Sequence, residues 1–290
     1  MSAPYEAVLL AAGRGSRLHE HTGAMPKALL PIGPRSLQDA TETSFLRRQV
    51  ELLNSLGVDR IVVVVGMLRE MILRDAATWS VAVEFVTNPT PDIGTSGSLH
   101  SFQFAARSPH GILDGTRQTL LMDADIVYER RALQRLLESD ERSALLYCSD
   151  YKADDEEVLV YGTAERPRFL GKALRPALVA QAPCLGEATG IVKFSPEDHA
   201  LVRQTMDWML GDPGAAQGSA AARGFGPGRM ATEHEELTQR FMHYDCMGTV
   251  ALPADVLFME CDDAAEYATV RERFYPRILE LEAKATRAQG

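Results

Sequence analysis

The chain is poor in cysteine: Cys148, Cys184, Cys246 and Cys261 are its only four, and no two of them form a Cys-x-x-Cys pair. That argues against zinc ligation and against a disulfide framework, and predicts free thiols. No apolar run reaches membrane-spanning length, and no basic-then-apolar leader follows Met1, so a cytoplasmic protein without a membrane partner is expected. Positive charge is scarce as well. With 30 Lys and Arg against 40 Asp and Glu the formal net charge is −10, which disfavours a broad nucleic-acid surface but leaves room for a local basic pocket. Internal repeats are missing. What remains, 290 residues with 46% apolar content, suits one large α/β domain or a domain with a small appendage.

Two nucleotide motifs are incomplete. A dinucleotide loop needs Gly-x-Gly-x-x-Gly, but Leu18 stands at the third glycine, and the second strand ends in Gly66 rather than in an acid that would hold a ribose. The Gly-Lys-Ser/Thr that closes a P-loop does not occur at this turn. In their place stands Ala7-Val8-Leu9-Leu10-Ala11-Ala12-Gly13-Arg14-Gly15-Ser16-Arg17-Leu18, followed by Pro26-Lys27-Ala28-Leu29. The apolar run from Tyr5 to Leu10 reads as a buried parallel strand. Gly13 and Gly15 let main-chain N–H groups approach a ligand closely, and Arg17 and Lys27 add positive charge. Such a segment suits a polyphosphate.

Periodicity predicts alternation along the first half. Helices are expected at 43–56, 67–75, 98–106 and 131–138, and strands at 61–65, 81–86, 119–122 and 144–148. This βαβ order predicts a Rossmann-like, mostly parallel sheet flanked by helices, with ligands at the carboxyl ends of its strands. From Asp150 onward, strands at 158–161, 168–173 and 188–194 predict a β-rich extension. A helix at 196–210 with Ser195 as N-cap, a Gly/Ala/Pro-rich segment at 211–228, and one or two helices at 264–283 interrupted near Pro276 complete the pattern. Asp123 and Asp125 close a buried strand, and Glu260, Asp262 and Asp263 lie in a second acidic stretch. Oxygen ligands at such places suit a hard cation such as Mg²⁺.

Leu-Ala-Ala-Gly-x-Gly-Ser-Arg-Leu followed by Pro-Lys-Ala-Leu resembles the signature of the bacterial nucleotidyltransferases, a GT-A-like family that joins a nucleoside triphosphate to a phosphorylated acceptor. The resemblance extends to about residue 270. It implies a domain over 1–270, with a nucleotide-binding half to about 150, an acceptor-binding half over 151–270, and a helical tail over 271–290. It implies Mg²⁺ on Asp125 and Asp262, with Asp123, Glu260 and Asp263 as second choices. Lys27 would hold the α-phosphate and the incoming oxygen. Arg17 and the Gly13–Ser16 amides would take the outer phosphates, with Arg14 at the tail or in solvent. The Leu10 and Ala11 main chain, Asn88 and Gly94-Thr95-Ser96-Gly97 would surround the base, with Ala12 also in the nucleotide site.

Leu121-Met122-Asp123-Ala124-Asp125, Leu159-Val160-Tyr161-Gly162, Gly186-Glu187-Ala188-Thr189-Gly190 and Glu260-Cys261-Asp262 are most similar to the choline-phosphate and aminoethylphosphonate cytidylyltransferase branch. Choline members carry a tryptophan before Leu-Val-Tyr-Gly, whereas here Glu156-Glu157-Val158 precedes it, and Ser96-Gly97 replaces an Asn-Asn. The expectation is therefore cytidylyl transfer from CTP to a small phosphonate or phosphorylated amino alcohol, with Glu187, Tyr161, Lys172 and Lys193 near the acceptor. A sugar-1-phosphate nucleotidylyltransferase using UTP or dTTP is the alternative, with Glu165-Arg166-Pro167 as its ambiguous counterpart of Glu-Lys-Pro. A non-catalytic nucleotide-binding relative would be expected to have lost a charged group, yet Arg17, Lys27, Asp125 and Asp262 are all present. A homodimer is left open.

Overall fold

In the computed structural model, residues 4–13, 15–18, 23–90, 96–151, 157–210 and 232–289 are described. Strand β1 (Tyr5–Ala11) leads to the hairpin β2 (Pro31–Pro34) and β3 (Glu42–Ser44), then to helix α1 (Phe45–Ser55) and β4 (Arg60–Val65). Next come α2 (Arg69–Ala76), β5 (Glu84–Thr87), α3 (Ser98–Ala106), β6 (Gln118–Asp123), β7 (Ile126–Tyr128), α4 (Arg130–Leu137) and β8 (Ala144–Cys148). The second half holds β9 (Leu159–Gly162), β10 (Pro167–Gly171), α5 (Pro176–Val179), β11 (Cys184–Phe194), α6 (His199–Leu210) and α7 (His234–His243). It ends with β12 (Gly248–Ala251), β13 (Phe258–Glu260), α8 (Ala264–Thr269) and α9 (Tyr275–Gln289).

The large sheet runs β10-β9-β11-β6-β1-β4-β5, with β8 beside β11 and β12 beside β8. Its centre is parallel: β1 pairs with β4 and β6, and β4 with β5. The extension is antiparallel, because β11 returns along β6 and carries β9 and β10. Alternation along β1 assigns its side chains to two cores. Ala7 and Leu9 pack with Leu46 and Val50 of α1, Ile72 of α2 and Leu133 of α4. Val8 faces the opposite layer, built on Phe102 of α3, Met206 of α6 and Phe241 of α7. A third cluster joins Tyr275, Ile278 and Leu279 of α9 to Leu18, Ile32 and Phe45, so the last helix packs beside the region of the glycine bend.

Most expected elements occur with shifted ends. Helix α1 starts at Phe45 rather than Thr43 because Ser44 caps it, accepting from Arg47 N–H at 3.3 Å. Ser195 does not cap its helix: its hydroxyl donates to the Glu197 carboxylate, and a 3₁₀ turn at Pro196–Asp198 precedes α6. The interruption near Pro276 is a π turn over Val270–Phe274, placed where a proline two residues on supplies no N–H to the ladder. The segment 211–228 lies outside the described residues. All four cysteines are free thiols. Among the described residues no helix is long and apolar enough to cross a membrane.

Candidate active site

Parallel pairing brings the carboxyl ends of β1, β4, β5 and β6 to one edge. Leu10 stands opposite Asp123 and Ala11 opposite Val65, which sets the glycine bend beside the Asp-x-Asp turn. Gly66 follows β4 so closely that an added Cβ would lie 2.7 Å from the carbonyl oxygen of Ala12. Buried Gln49 ties the acidic turn to α1, donating to the Asp123 carbonyl at 3.1 Å.

The second acidic stretch arrives through a pairing that the motifs do not announce. β13 runs antiparallel to β7 with Glu260 opposite Ile126, and Cys261 N–H donates to the Asp125 carbonyl at 3.2 Å. Ligand oxygens of Asp125, Glu260 and Asp262 consequently lie within 4.8 Å of one another. Lys27 Nζ enters this group, donating to Asp125 Oδ2 at 2.7 Å and to Asp262 Oδ1 at 2.9 Å. Arg17 Nη1 sits 3.0 Å from Asp262 Oδ2.

The Lys27 side chain is only 9% exposed, and burial by itself would lower its pKa. The charges of Asp125 and Asp262 outweigh that penalty and hold the ammonium above the usual lysine range. Burial likewise pushes Asp262 upward, but Lys27 first and then Arg17 and Lys172 bring it below the ordinary carboxylate value. Glu260 is driven well above its usual value by burial and by the charges of Asp125 and Asp262. Asp123 shifts the same way, from burial and from Asp125, Glu235 and Glu233.

Asp123 does not join the three clustered carboxylates. Its Oδ2 lies 3.7 Å from His234 Nε2 and packs against Gly190, where a Cβ would stand 2.3 Å away. Glu260 takes the third place. Asp263 is occupied as the cap of α8, accepting from the N–H groups of Ala265 and Glu266.

A cleft of about 390 Å³ opens over these groups, walled by Leu10–Gly13, Gly15, Gly66 and Asn88 on the strand side. Asn88 lines it, but its amide works internally: Nδ2 donates to the Ser96 and Ser101 hydroxyls at 2.8 and 3.0 Å, while Oδ1 accepts from Thr90 N–H. The expected Arg14, Gly94 and Thr95 lie outside the described residues, and Ser16 is described only as part of a 3₁₀ turn with Leu18. A recess of about 30 Å³ adjoins the cleft and shares Asp123, His234, Glu235 and Glu260 with it. Lys172 stands in its wall beside apolar Val158, Leu170, Ala188 and Val192.

The other acceptor expectations fare differently. Tyr161 and Glu187 each neighbour a residue whose side chain faces that core layer, Val160 and Ala188, so in the strands they point to the other face and do not line the recess. Lys193 is buried at the opposite end of the sheet. There it donates to the carbonyls of Leu136 and Ser139, at the end of α4, at 3.3 and 2.9 Å. Its acceptor role is corrected to that of a helix C-terminal cation.

The segment after residue 231 was missed. Glu233 accepts from the N–H and hydroxyl of Ser98 at 2.8 and 2.7 Å, capping α3 from 135 positions away, and it brings His234 and Glu235 into the cleft. Nothing local in the sequence signals that contact.

A model of the MobA-like NTP transferase domain matches residues 7–189. The chain belongs to that family. The match takes in the glycine bend, Lys27 and Asp125 and stops before Asp262, so β13 completes the carboxylate cluster from outside the matched part. Among curated relatives, the chain is 35% identical over 147 residues to a CMP-5′-(3-aminopropyl)phosphonate synthase of Streptomyces rubellomurinus, covering 50% of this chain and 21% of that protein. It is 25% identical over 140 residues to a CTP:phosphoglutamine cytidylyltransferase of Campylobacter jejuni, covering 48% and 51%. The matches therefore span about a fifth and about half of those proteins' length. Among solved structures, the inositol-1-phosphate CTP transferase from T. maritima has the same fold, with a TM-score of 0.65 at 17% identity over 94% of this chain and 98% of that one.

Proposed function

We propose that the protein is a Mg²⁺-dependent cytidylyltransferase that joins CTP to a small phosphonate or phosphate bearing an ammonium group, releasing pyrophosphate. The carrying observation is the convergence of Lys27, Arg17 and three carboxylates on the edge where the glycine bend opens. The two relatives named for CMP-phosphonate and phosphoglutamine chemistry support CTP as donor. Three clustered carboxylates form the hard oxygen set that Mg²⁺ takes, so the residues present fit the ion. When bound, that ion supplies positive charge against the α-phosphate.

The acceptor oxygen is already anionic at neutral pH, so no general base is needed. It attacks the α-phosphorus, an O–P bond forms, the bond from that phosphorus to the β-phosphate oxygen breaks, and pyrophosphate leaves. Lys27 is assigned the α-phosphate and the approaching oxygen, whose mutual repulsion it offsets. Arg17 and the main-chain N–H groups of Gly13, Gly15 and Ser16 are assigned the outer phosphates. In the recess Lys172 suits the acceptor's phosphorus group, and Asp123 and Glu235 suit its ammonium. The apolar wall suits a short alkyl chain better than a sugar.

Pyrophosphate release measured with CTP, UTP and dTTP against aminoalkyl phosphonates, phosphocholine and sugar 1-phosphates tests the reading. Turnover is expected with CTP and an aminoalkyl phosphonate. Turnover only with a sugar 1-phosphate, or with no pair at all, overturns it.

A further inference from the structure

Both carboxylate oxygens of Asp262 face a cation of the chain itself. Oδ1 lies 2.9 Å from Lys27 Nζ and Oδ2 3.0 Å from Arg17 Nη1, while Asp125 Oδ2 lies 2.7 Å from the same Nζ. Glu260 has no ion-pair partner among the described residues. Two monovalent cations are thus set against three carboxylates whose oxygens crowd within 4.8 Å. We propose that Lys27 and Arg17 are placeholder cations, which hold the metal-binding carboxylates until the triphosphate draws them away. The inference rests on the cofactor assignment made above, and it concerns the order in which the site is filled.

A divalent ion entering by itself must compete with Lys27 and Arg17 for Asp262 and with Lys27 for Asp125. Displacing Lys27 also strands an ammonium whose side chain is 9% exposed and has little water to replace its partners. A triphosphate removes both obstacles, because its oxygens offer Lys27 and Arg17 anionic partners outside the carboxylate cluster. Nucleotide and metal therefore assist each other's binding, and linkage makes that assistance reciprocal. The same pairs explain how the carboxylates stay gathered against their own repulsion: each cation neutralises part of the charge that would splay them.

The test is Mn²⁺ binding to the nucleotide-free protein, read by loss of the free-ion EPR signal. Lys27→Met is expected to bind Mn²⁺ at least about tenfold more tightly than the native chain, within the usual range of coupling between sites. Lys27→Arg, which keeps the charge, is expected to bind as weakly as the native chain. Adding Asp262→Asn to Lys27→Met should abolish the gain. Arg17→Gln, at a side chain 56% exposed, should give a smaller gain and keeps the test open if Lys27→Met fails to fold. Equal affinity in the native, Lys27→Met and Arg17→Gln proteins overturns the placeholder role while leaving the metal assignment intact. If no variant binds Mn²⁺ and turnover survives a chelator, the cofactor assignment falls and the inference falls with it.

Discussion

Replacing Gly66 by alanine should damage catalysis through the packing of two backbones alone. An added Cβ at Gly66 would lie 2.7 Å from the Ala12 carbonyl oxygen, 3.0 Å from its Cβ and 3.1 Å from its Cα. Ordinary contact begins near 3.4 Å, so the Ala12–Gly13 backbone must retreat by about 0.7 Å. Gly66 is not among the residues with positive φ, so backbone strain adds nothing. Loss of glycine's freedom in the unfolded chain works the other way and would stabilise by about 0.4–1 kcal/mol. Overpacking at this partly buried contact costs about 1–3 kcal/mol and outweighs that gain, which lowers Tm by a few degrees. A comparable shift of a group that positions reacting phosphates reduces kcat/KM for the nucleotide about 10- to 100-fold. Thermal melts and pyrophosphate release measure the two effects. Gly57→Ala is the control, since its Cβ would meet nothing within 4 Å but its φ of +78° strains an alanine. It should lower Tm and leave kcat/KM alone. Native kinetics in Gly66→Ala would refute the claim that this contact sets the position of the phosphate bend.

Glu233→Ala removes the acceptor for both Ser98 groups and should cost about 1 kcal/mol as a lost N-cap, seen as a drop of about 2–4 °C in Tm; an unchanged melt contradicts the capping role. Burial holds His199 below the ordinary histidine pKa, and its Nδ1 accepts from Gly115 N–H. The unfolded chain therefore takes up this proton first as pH falls below about 6.5, so stability is complete above that value and declines beneath it. Melts between about pH 5 and 8 should slope less for His199→Gln than for the native chain, and equal slopes refute the assignment. Lys172→Met should raise KM for the acceptor about 10- to 100-fold through a lost charged hydrogen bond, with KM for CTP unchanged. Equal effects on both substrates would move Lys172 out of the acceptor recess.

Much of the framework was legible because it is written in local pattern. The β-branched run at Ile61–Val65 can hardly be anything but a buried strand, and helix α3 begins and ends where its apolar spacing does. Lys27 and Asp125 could be singled out because each sits at a short, fixed distance from a strand end. The small pieces were harder. β7 and β13 have three residues each, too few for alternation to show, yet their pairing decides that Glu260 rather than Asp123 joins Asp125 and Asp262. Lys193 misled for a related reason. A lysine in a strand carries no mark of which end of the sheet it occupies, and β11 runs antiparallel to β6, which carries Lys193 away from the cleft.

The sequence by itself determined that an apolar first strand breaks into a glycine bend followed by two cations, because backbone freedom and charge at short spacing are properties of neighbouring residues. It also determined that an acidic pair follows the apolar strand at 119–122 and that a second acidic stretch lies late in the chain. Only the tertiary structure decided which of those acids meet, that Lys27 bridges two of them from 98 and 235 positions away, and that Glu233 reaches back to cap α3. Those contacts depend on strand order and direction. Both emerge when the two cores close on the sheet, and neither is encoded in any stretch of chain read alone.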